Sequence, residues 1–392
     1  MRIAFIDYVC DPAKPGTTGL SDLVWDMASH LARAGEDVRI IGPYTTENYP
    51  QDNVLVHRFA LPPINYRNIL GHLLIILRAQ SVLRQFGPVD IIHVPEYVSA
   101  AVLATLQRTP VVFTEPGSIF DRERYGNPYD WTTTQVYKLA ARRAARLCAH
   151  CIATSDWMKG WWQWTGVTPD RITYIPLGVD LGTFRQTPNA KSSLGWDPQK
   201  QHIVYAARLS RENGADVTLR AFARVYGEQP RWRLHMLGDG PERQAFEYLA
   251  ADLGLSGAVE WHGWVDLAAL PAFYSGADVF VFSGASGGTP RVLLQAMACG
   301  APCVASAIGG ITDHIQHGET GLLCQPGTAS DLAEQILVVL KNPPLARHLG
   351  EAGQKYVRAT LDWALLIRQI HSVYARVIEP RADKSLRSQV AV

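Results

Sequence analysis

Apolar and polar positions alternate along this chain in two rhythms. Short apolar runs at Ile3 to Asp7, Asp37 to Ile41, Ile91 to Val94, Val111 to Thr114, Cys151 to Thr154 and Ile172 to Ile175 predict strands. Stretches with apolar residues at helical spacing separate most of them; the first, Leu20 to Ala34, is closed by Gly35 and makes a β–α–β unit with its flanking runs. Runs this short and this apolar predict a parallel sheet buried on both faces. The rhythm pauses at PLGVDLGTFR, Pro176 to Arg185, and restarts with His202 to Ala206. Strands near Arg233 to Leu237, Val259 to His262, Val279 to Phe282, Cys303 to Ala305 and Leu322 to Cys324 follow, each with a helix or turn after it. Leu361 to Val377 has helical spacing, and the polar Pro380 to Val392 is expected to fray.

This pattern predicts an α/β chain of two doubly wound, Rossmann-like domains. The expected boundaries are 1–184 and 185–365, with 366–392 a C-terminal helix that packs back on the first domain and ends in a loose tail. Ligands of such sheets bind at the carboxyl ends of the strands, so the two domains are expected to face each other across a cleft that holds the site.

Composition narrows the reading. At 392 residues with 47% apolar and 19% charged content, the chain is long enough for two cores and has the make-up of a globular protein. Lys and Arg number 37 against 36 Asp and Glu, so no global field attracts nucleic acid or an anionic membrane, and any anion must be bound locally. The longest greasy stretch, Ile69 to Leu77, is interrupted by His72 and has about half the ~20 residues that cross a bilayer. The opening MRIAFIDYVCD has none of the features of a signal peptide, and a cytoplasmic location is expected. Cysteines at 10, 148, 151, 299, 303 and 324 lie mostly in apolar runs and predict buried thiols. Cys148-Ala-His-Cys151 resembles half a zinc site, but no second pair at zinc spacing completes it.

Three glycine-bearing loops carry candidate chemistry. Pro15-Gly16-Thr17-Thr18-Gly19 joins the first strand to its helix, where bare amides and a helix N-terminus can face an anion. Ala206 to Gly214, AARLSRENG, places Arg208 at a strand's carboxyl end, where a guanidinium can grip phosphate oxygens in pairs. Ser283 to Gly300, SGASGGTPRVLLQAMACG, has glycines at 284, 287 and 288, then Thr289, then Pro290 in the position that suits a helix start. Two further features read as structural: His93 as a satisfied histidine, and Trp157, Trp161, Trp162 and Trp164 as core packing with one exposed ring, which would suit peripheral contact with a lipid or membrane surface.

The strings AARLSRENG, LHMLGDGPER, VEWHGWV, GADVFVFS, GTPRVLLQAMACGAPCVAS, IGGITDHIQHGETGLL and RITYIPLGVDLGTF together resemble glycosyltransferase family 4, the group 1 glycosyltransferases, over nearly the whole chain. The resemblance implies the GT-B architecture, a nucleotide-sugar donor on the second domain, an acceptor on the first, no essential metal or other cofactor, and retention of anomeric configuration. It assigns donor binding to Gly16, Gly19, Arg208, Asn213, Gly287, Gly288, Thr289, Pro290 and Gln295, and the chemical step to Arg208, Glu115 and Arg291.

Several family positions are changed here. The lysine five residues after Arg208 is Asn213, the paired glutamates fall at Gly287 and Gln295, and the histidine after the strand Val111 to Thr114 falls at Pro116, beside Glu115. Losing three hydrogen bonds to charged groups removes roughly 4 to 9 kcal/mol if they add. Arg291, in the first turn of its helix, is the candidate substitute cation. The sequence therefore leaves two expectations. One is a retaining transferase that moves a hexose from a UDP- or GDP-linked donor to a glycan, lipid or small-molecule acceptor; the other is a catalytically degenerate homologue that binds nucleotide or stabilises a partner transferase.

Overall fold

The computed structural model describes residues 1–6, 19–43, 54–59, 69–85, 87–95, 97–115, 131–285 and 288–389. These divide into two compact units, one formed by the described residues up to 177 together with 363–389, the other by 178–362.

The first unit is built on strands β1 (Arg2–Ile6), β2 (Asp37–Gly42), β3 (Leu55–Arg58), β4 (Ile91–Val94), β5 (Val111–Glu115), β6 (His150–Ala153) and β7 (Ile172–Tyr174). All pair in parallel, in the order β3-β2-β1-β4-β5-β6-β7. Helices α1 (Gly19–Arg33), α2 (Ile69–Gln85), α3 (Tyr97–Leu106), α4 (Trp131–Leu147) and α5 (Asp156–Trp164) follow the strands. Every residue of β4 and β6 is buried, as a sheet covered on both faces requires. Ser155 caps α5 by accepting the amide hydrogen of Met158 at 3.1 Å. That helix turns Trp162 into the core against Phe113, with ring centroids 4.7 Å apart, and leaves Trp157 and Trp164 37% and 74% exposed. Two rings rather than one therefore face solvent.

The second unit opens with the single-turn α6 (Ala190–Ser193) and holds strands β8 (His202–Ala206), β9 (Arg233–Leu237), β10 (Val259–Gly263), β11 (Val279–Phe282), β12 (Cys303–Ser306) and β13 (Leu322–Cys324). They form a parallel sheet in the order β10-β9-β8-β11-β12-β13. Helices α7 (Ala215–Glu228), α8 (Arg243–Asp252), α9 (Leu270–Gly276), α10 (Arg291–Ala298), α11 (Ala329–Lys341) and α12 (Pro343–Thr360) cover it. Tyr205, Leu219, Phe222, Leu234, Met236, Val281 and Ile336 are among the buried side chains of its core.

In both sheets the strand order reverses next to the unit's first strand, between β1 and β4 and between β8 and β11. Such switch points leave a crevice at the strands' carboxyl ends. The last helix, α13, runs over Trp363–Gln389, twelve residues beyond the predicted end at Val377, through a segment rich in good helix formers. It belongs to the first unit, where Trp363 stacks on His30 at 5.7 Å and the His371 ring meets Glu36 at 2.9 Å. No helix among the described residues is long and apolar enough to cross a membrane.

Candidate active site

Four loops meet at the carboxyl ends of β8, β9, β10 and β11. The β8 loop and the β11 loop are tied at Gly214, which adopts φ +76°; a Cβ there would sit 2.0 Å from the Ser283 carbonyl oxygen. Only glycine allows both the left-handed backbone and this approach. Ser283 Oγ donates to the Gly214 carbonyl at 2.6 Å and lies 2.7 Å from Thr218 Oγ1, while the Ala285 amide donates to the Glu212 carbonyl at 3.0 Å. The β9 loop docks as closely: Cβ atoms on Gly238 and Gly240 would lie 2.0 and 2.2 Å from the carbonyls of Ala207 and Leu209. The Leu209 amide donates to the Asp239 carbonyl at 3.0 Å, and the Gly238 amide to the carbonyl of Gly263, the last residue of β10, at 2.7 Å. The result is a backbone-lined floor at the switch point.

Arg208 leaves this floor with its side chain 56% exposed, paired with Glu212 at 3.4 Å. An exposed pair is weak, so a stronger anion can take the guanidinium from Glu212. Asn213 directs its side-chain amide to the Arg208 carbonyl at 2.8 Å and so shapes the loop that carries the arginine. Arg211 is held by Glu242, which accepts its backbone amide at 2.8 Å and approaches its side chain at 3.5 Å.

Across the switch point, Gly288, Thr289 and Pro290 lead into α10. Thr289 is buried, with Oγ1 donating to the Gly310 carbonyl at 3.3 Å, and Pro290 supplies no side-chain cap to the helix. The Leu293 amide turns back to the Pro290 carbonyl at 3.1 Å, and the positive end of the α10 dipole favours an anion beside this turn. Arg291 is the first residue of α10 and half-buried, and Gln295 lies one turn on, 6% exposed.

The structure thus brings Arg208, Asn213, Gly288, Thr289, Pro290, Arg291 and Gln295 to the loops around one switch point. In the first unit Gly19 opens α1, and Glu115 ends β5. Gly16, Pro116 and Gly287, and the side chain of Glu115, lie outside the described residues. Reading the sequence passed over Glu212, Glu242 and Ser283. Their roles depend on contacts between loops, and a Glu four residues from an Arg has no distinctive signature in sequence.

The cysteine and histidine motifs resolve simply. Cys148, Cys151, Cys299, Cys303 and Cys324 are buried free thiols, and Cys10 lies outside the described residues. Burial pushes the thiols of Cys148, Cys299 and Cys324 up to about 12, which removes them as nucleophiles. Among the described residues the Cys148–Cys151 pair gathers no further metal-ligating side chain. His93 is buried with both ring nitrogens engaged, by Tyr374 and by Thr114 at 2.8 Å.

Comparison with known proteins fits this geometry. The family described as Glycosyl transferases group 1 matches residues 186–356, and that described as Glycosyltransferase Family 4 matches residues 17–183. The chain is 28% identical over 382 residues to the D-inositol 3-phosphate glycosyltransferase of Pseudarthrobacter chlorophenolicus, covering 90% of each chain. Its fold is similar to that of sucrose-phosphate synthase from Thermosynechococcus elongatus, with a TM-score of 0.87 at 24% identity over 97% of this chain and 99% of that one. It is also similar to HepE from Anabaena in complex with UDP and glucose, with a TM-score of 0.79 at 21% identity over 96% and 100%. The two matched families between them account for both units, and the chain belongs to the group 1 glycosyltransferases of family 4, nucleotide-sugar-dependent transferases of GT-B fold.

Proposed function

We propose that the second unit holds a UDP- or GDP-linked hexose with its diphosphate on Arg208 and the positive N-terminal end of α10, and that the sugar is transferred with retention to a polar acceptor held by the first unit. The observation that carries this reading is the backbone floor at the β8/β11 switch point, from which the largely exposed Arg208 extends, paired at 3.4 Å with the half-buried Glu212. The leaving diphosphate gathers charge as the glycosidic bond breaks, and fixed donors aimed at that charge lower the barrier. Arg291, at the first position of α10, supplies the second cation in place of the lysine replaced by Asn213. Departure on the face that the acceptor hydroxyl attacks, through an oxocarbenium-like state, retains configuration. The cations and amides take the part that a metal plays elsewhere, so the transfer itself proceeds without one.

The named substrate of the Pseudarthrobacter relative, an inositol phosphate, supports a small hydroxylated acceptor, and the UDP and glucose bound to HepE support a UDP-linked glucose-type donor. Incubating the chain with UDP- and GDP-hexoses and a panel of polyol phosphates, sugars and lipid-linked sugars, in buffer containing EDTA, tests the proposal. Acceptor-dependent release of nucleoside diphosphate with an α-linked product from an α-linked donor is expected. An inverted product, or release only with added Mg2+, overturns the mechanism.

The same reading places the protein in the cytoplasm, working beside a membrane surface. Exposed Leu139, Arg142, Arg143 and Arg146 on α4, and Trp157 and Trp164 on α5, support contact with anionic headgroups. Sedimentation with phosphatidylglycerol vesicles and not with phosphatidylcholine vesicles is expected; equal recovery from both rejects the electrostatic contact.

A further inference from the structure

Three histidines cross the second unit's sheet in a hydrogen-bonded row. His202 of β8 places Nε2 3.0 Å from the Asp197 carbonyl and Nδ1 2.9 Å from His235 Nε2, and His235 of β9 places Nδ1 3.0 Å from His262 Nε2 on β10. Trp196 lies flat on the first two rings, at centroid distances of 4.4 and 4.0 Å, and Phe273 meets the third edge-on at 5.0 Å. A carbonyl oxygen can only accept, so His202 donates from Nε2, and its neutral ring accepts at Nδ1. His235 must then donate from Nε2, and its Nδ1 presents an accepting lone pair towards His262 Nε2. The tautomer of a fully buried histidine is thus fixed from behind, the arrangement that orients metal-binding imidazoles.

Glu260 pairs with His235 in the parallel register of β10 on β9, and a register shift between Trp261 and Gly263 leaves His262 without a β9 partner but with its ring beside the Glu260 carboxylate. Its Oε2 lies 3.4 Å from His235 Nδ1 and 3.9 Å from His262 Nε2. With the 3.0 Å between the two nitrogens, these sides define a triangle whose centre is about 2.0 Å from each corner, the length of a zinc–nitrogen or zinc–oxygen bond. The glutamate is half exposed and His262 a quarter exposed, so an ion and its remaining water can enter from the sheet edge.

We propose that His235 Nδ1, His262 Nε2 and Glu260 bind a divalent ion of the zinc class, which pins the edge strand β10 to β9. His262 coordinates as the neutral tautomer with its proton on Nδ1. Two nitrogen donors and a single carboxylate select zinc or cobalt over magnesium or calcium, which take oxygen ligands. The site is structural and takes no part in the transfer, so it stands or falls apart from the proposed mechanism.

Titration of the chelator-stripped full chain with Co2+ tests it, read by the visible absorption of the bound ion and by competition with Zn2+. One equivalent should bind, Zn2+ should displace it, and Zn2+ should raise the unfolding temperature. Glu260→Gln and His262→Gln, both at the open side of the site, should each weaken binding at least about tenfold while circular dichroism stays native. His348→Gln, an exposed histidine on α12, should bind as the wild type does. Absence of a stoichiometric ion in the wild type, or unchanged binding in both site variants, overturns the proposal.

Discussion

Tyr374 of the last helix hydrogen-bonds to His93 in the centre of the first unit's sheet, 281 residues earlier in the chain. Both side chains are buried, and the second ring nitrogen of His93 meets Thr114 of the next strand. A neutral imidazole offers one donor and one acceptor, and here both are used. Tyr374→Phe leaves the shape intact and one buried ring nitrogen unpaired, so urea denaturation should show a loss of about 1 to 3 kcal/mol with an unchanged denaturant slope.

Acid should weaken both units. Burial pushes the His93 ring down to about 3 and the His314 ring down to about 4; burial, with Arg376 and Arg171 nearby, pushes the His150 ring down to about 4. Unfolded histidines take up protons below about pH 6.5 and these folded ones do not, so the unfolded state binds more protons and stability falls as pH falls. The loss begins near pH 6.5 and continues to about pH 4 for His150 and His314 and about pH 3 for His93. Each ring contributes up to about 1.4 kcal/mol per pH unit across its window. Chemical denaturation at pH 7.5, 6 and 5 should give a steadily falling midpoint; a flat profile would mean that these rings are protonated in the fold.

Removing either proposed phosphate cation should be felt at the donor. Arg208→Ala forfeits a charged hydrogen bond worth about 1.5 to 3 kcal/mol, a fall in nucleoside diphosphate affinity of roughly ten- to a hundredfold by calorimetry. Arg291→Ala should also weaken binding, and unchanged affinity would remove it from the site. Glu212→Gln frees Arg208 from an exposed pair, so it should change stability by less than about 1 kcal/mol and should not reduce affinity.

The glycines separate into two kinds. Gly214→Ala drives a methyl group to 2.0 Å from the Ser283 carbonyl at a positive φ, and should destabilise the chain by more than about 2 kcal/mol and part the β8 and β11 loops. Gly227→Ala, within α7 where an added Cβ meets nothing within 4 Å, should stabilise by about 0.5 to 1 kcal/mol. Melting temperatures of the two variants should move in opposite directions.

Buried parallel strands were the most readable part of the sequence. His202 to Ala206, Arg233 to Leu237 and Val279 to Phe282 coincide with β8, β9 and β11, because unbroken apolar runs bounded by turns have few other uses. β3, with Leu55 52% exposed, lacks that signature and was passed over. At the site, Arg208 and the glycine loop before α10 could be read because they carry motif residues. The partners that set their state could not, since Glu212, Ser283 and Gly214 meet through backbone geometry. The row His202, His235 and His262 is illegible for the same reason: residues about thirty apart meet only because β8, β9 and β10 lie side by side, and His262 only through the register shift in β10.

Because α13 completes the first unit while the described residues of the second, within 178–362, all come before it, synthesis and folding run out of step. The second unit can close as soon as its own residues have emerged from the ribosome. The first, though begun earlier, must wait for α13 to bring Tyr374 to His93 and His371 to Glu36. A stop codon just before Trp363 would therefore damage the unit that holds β1 to β7.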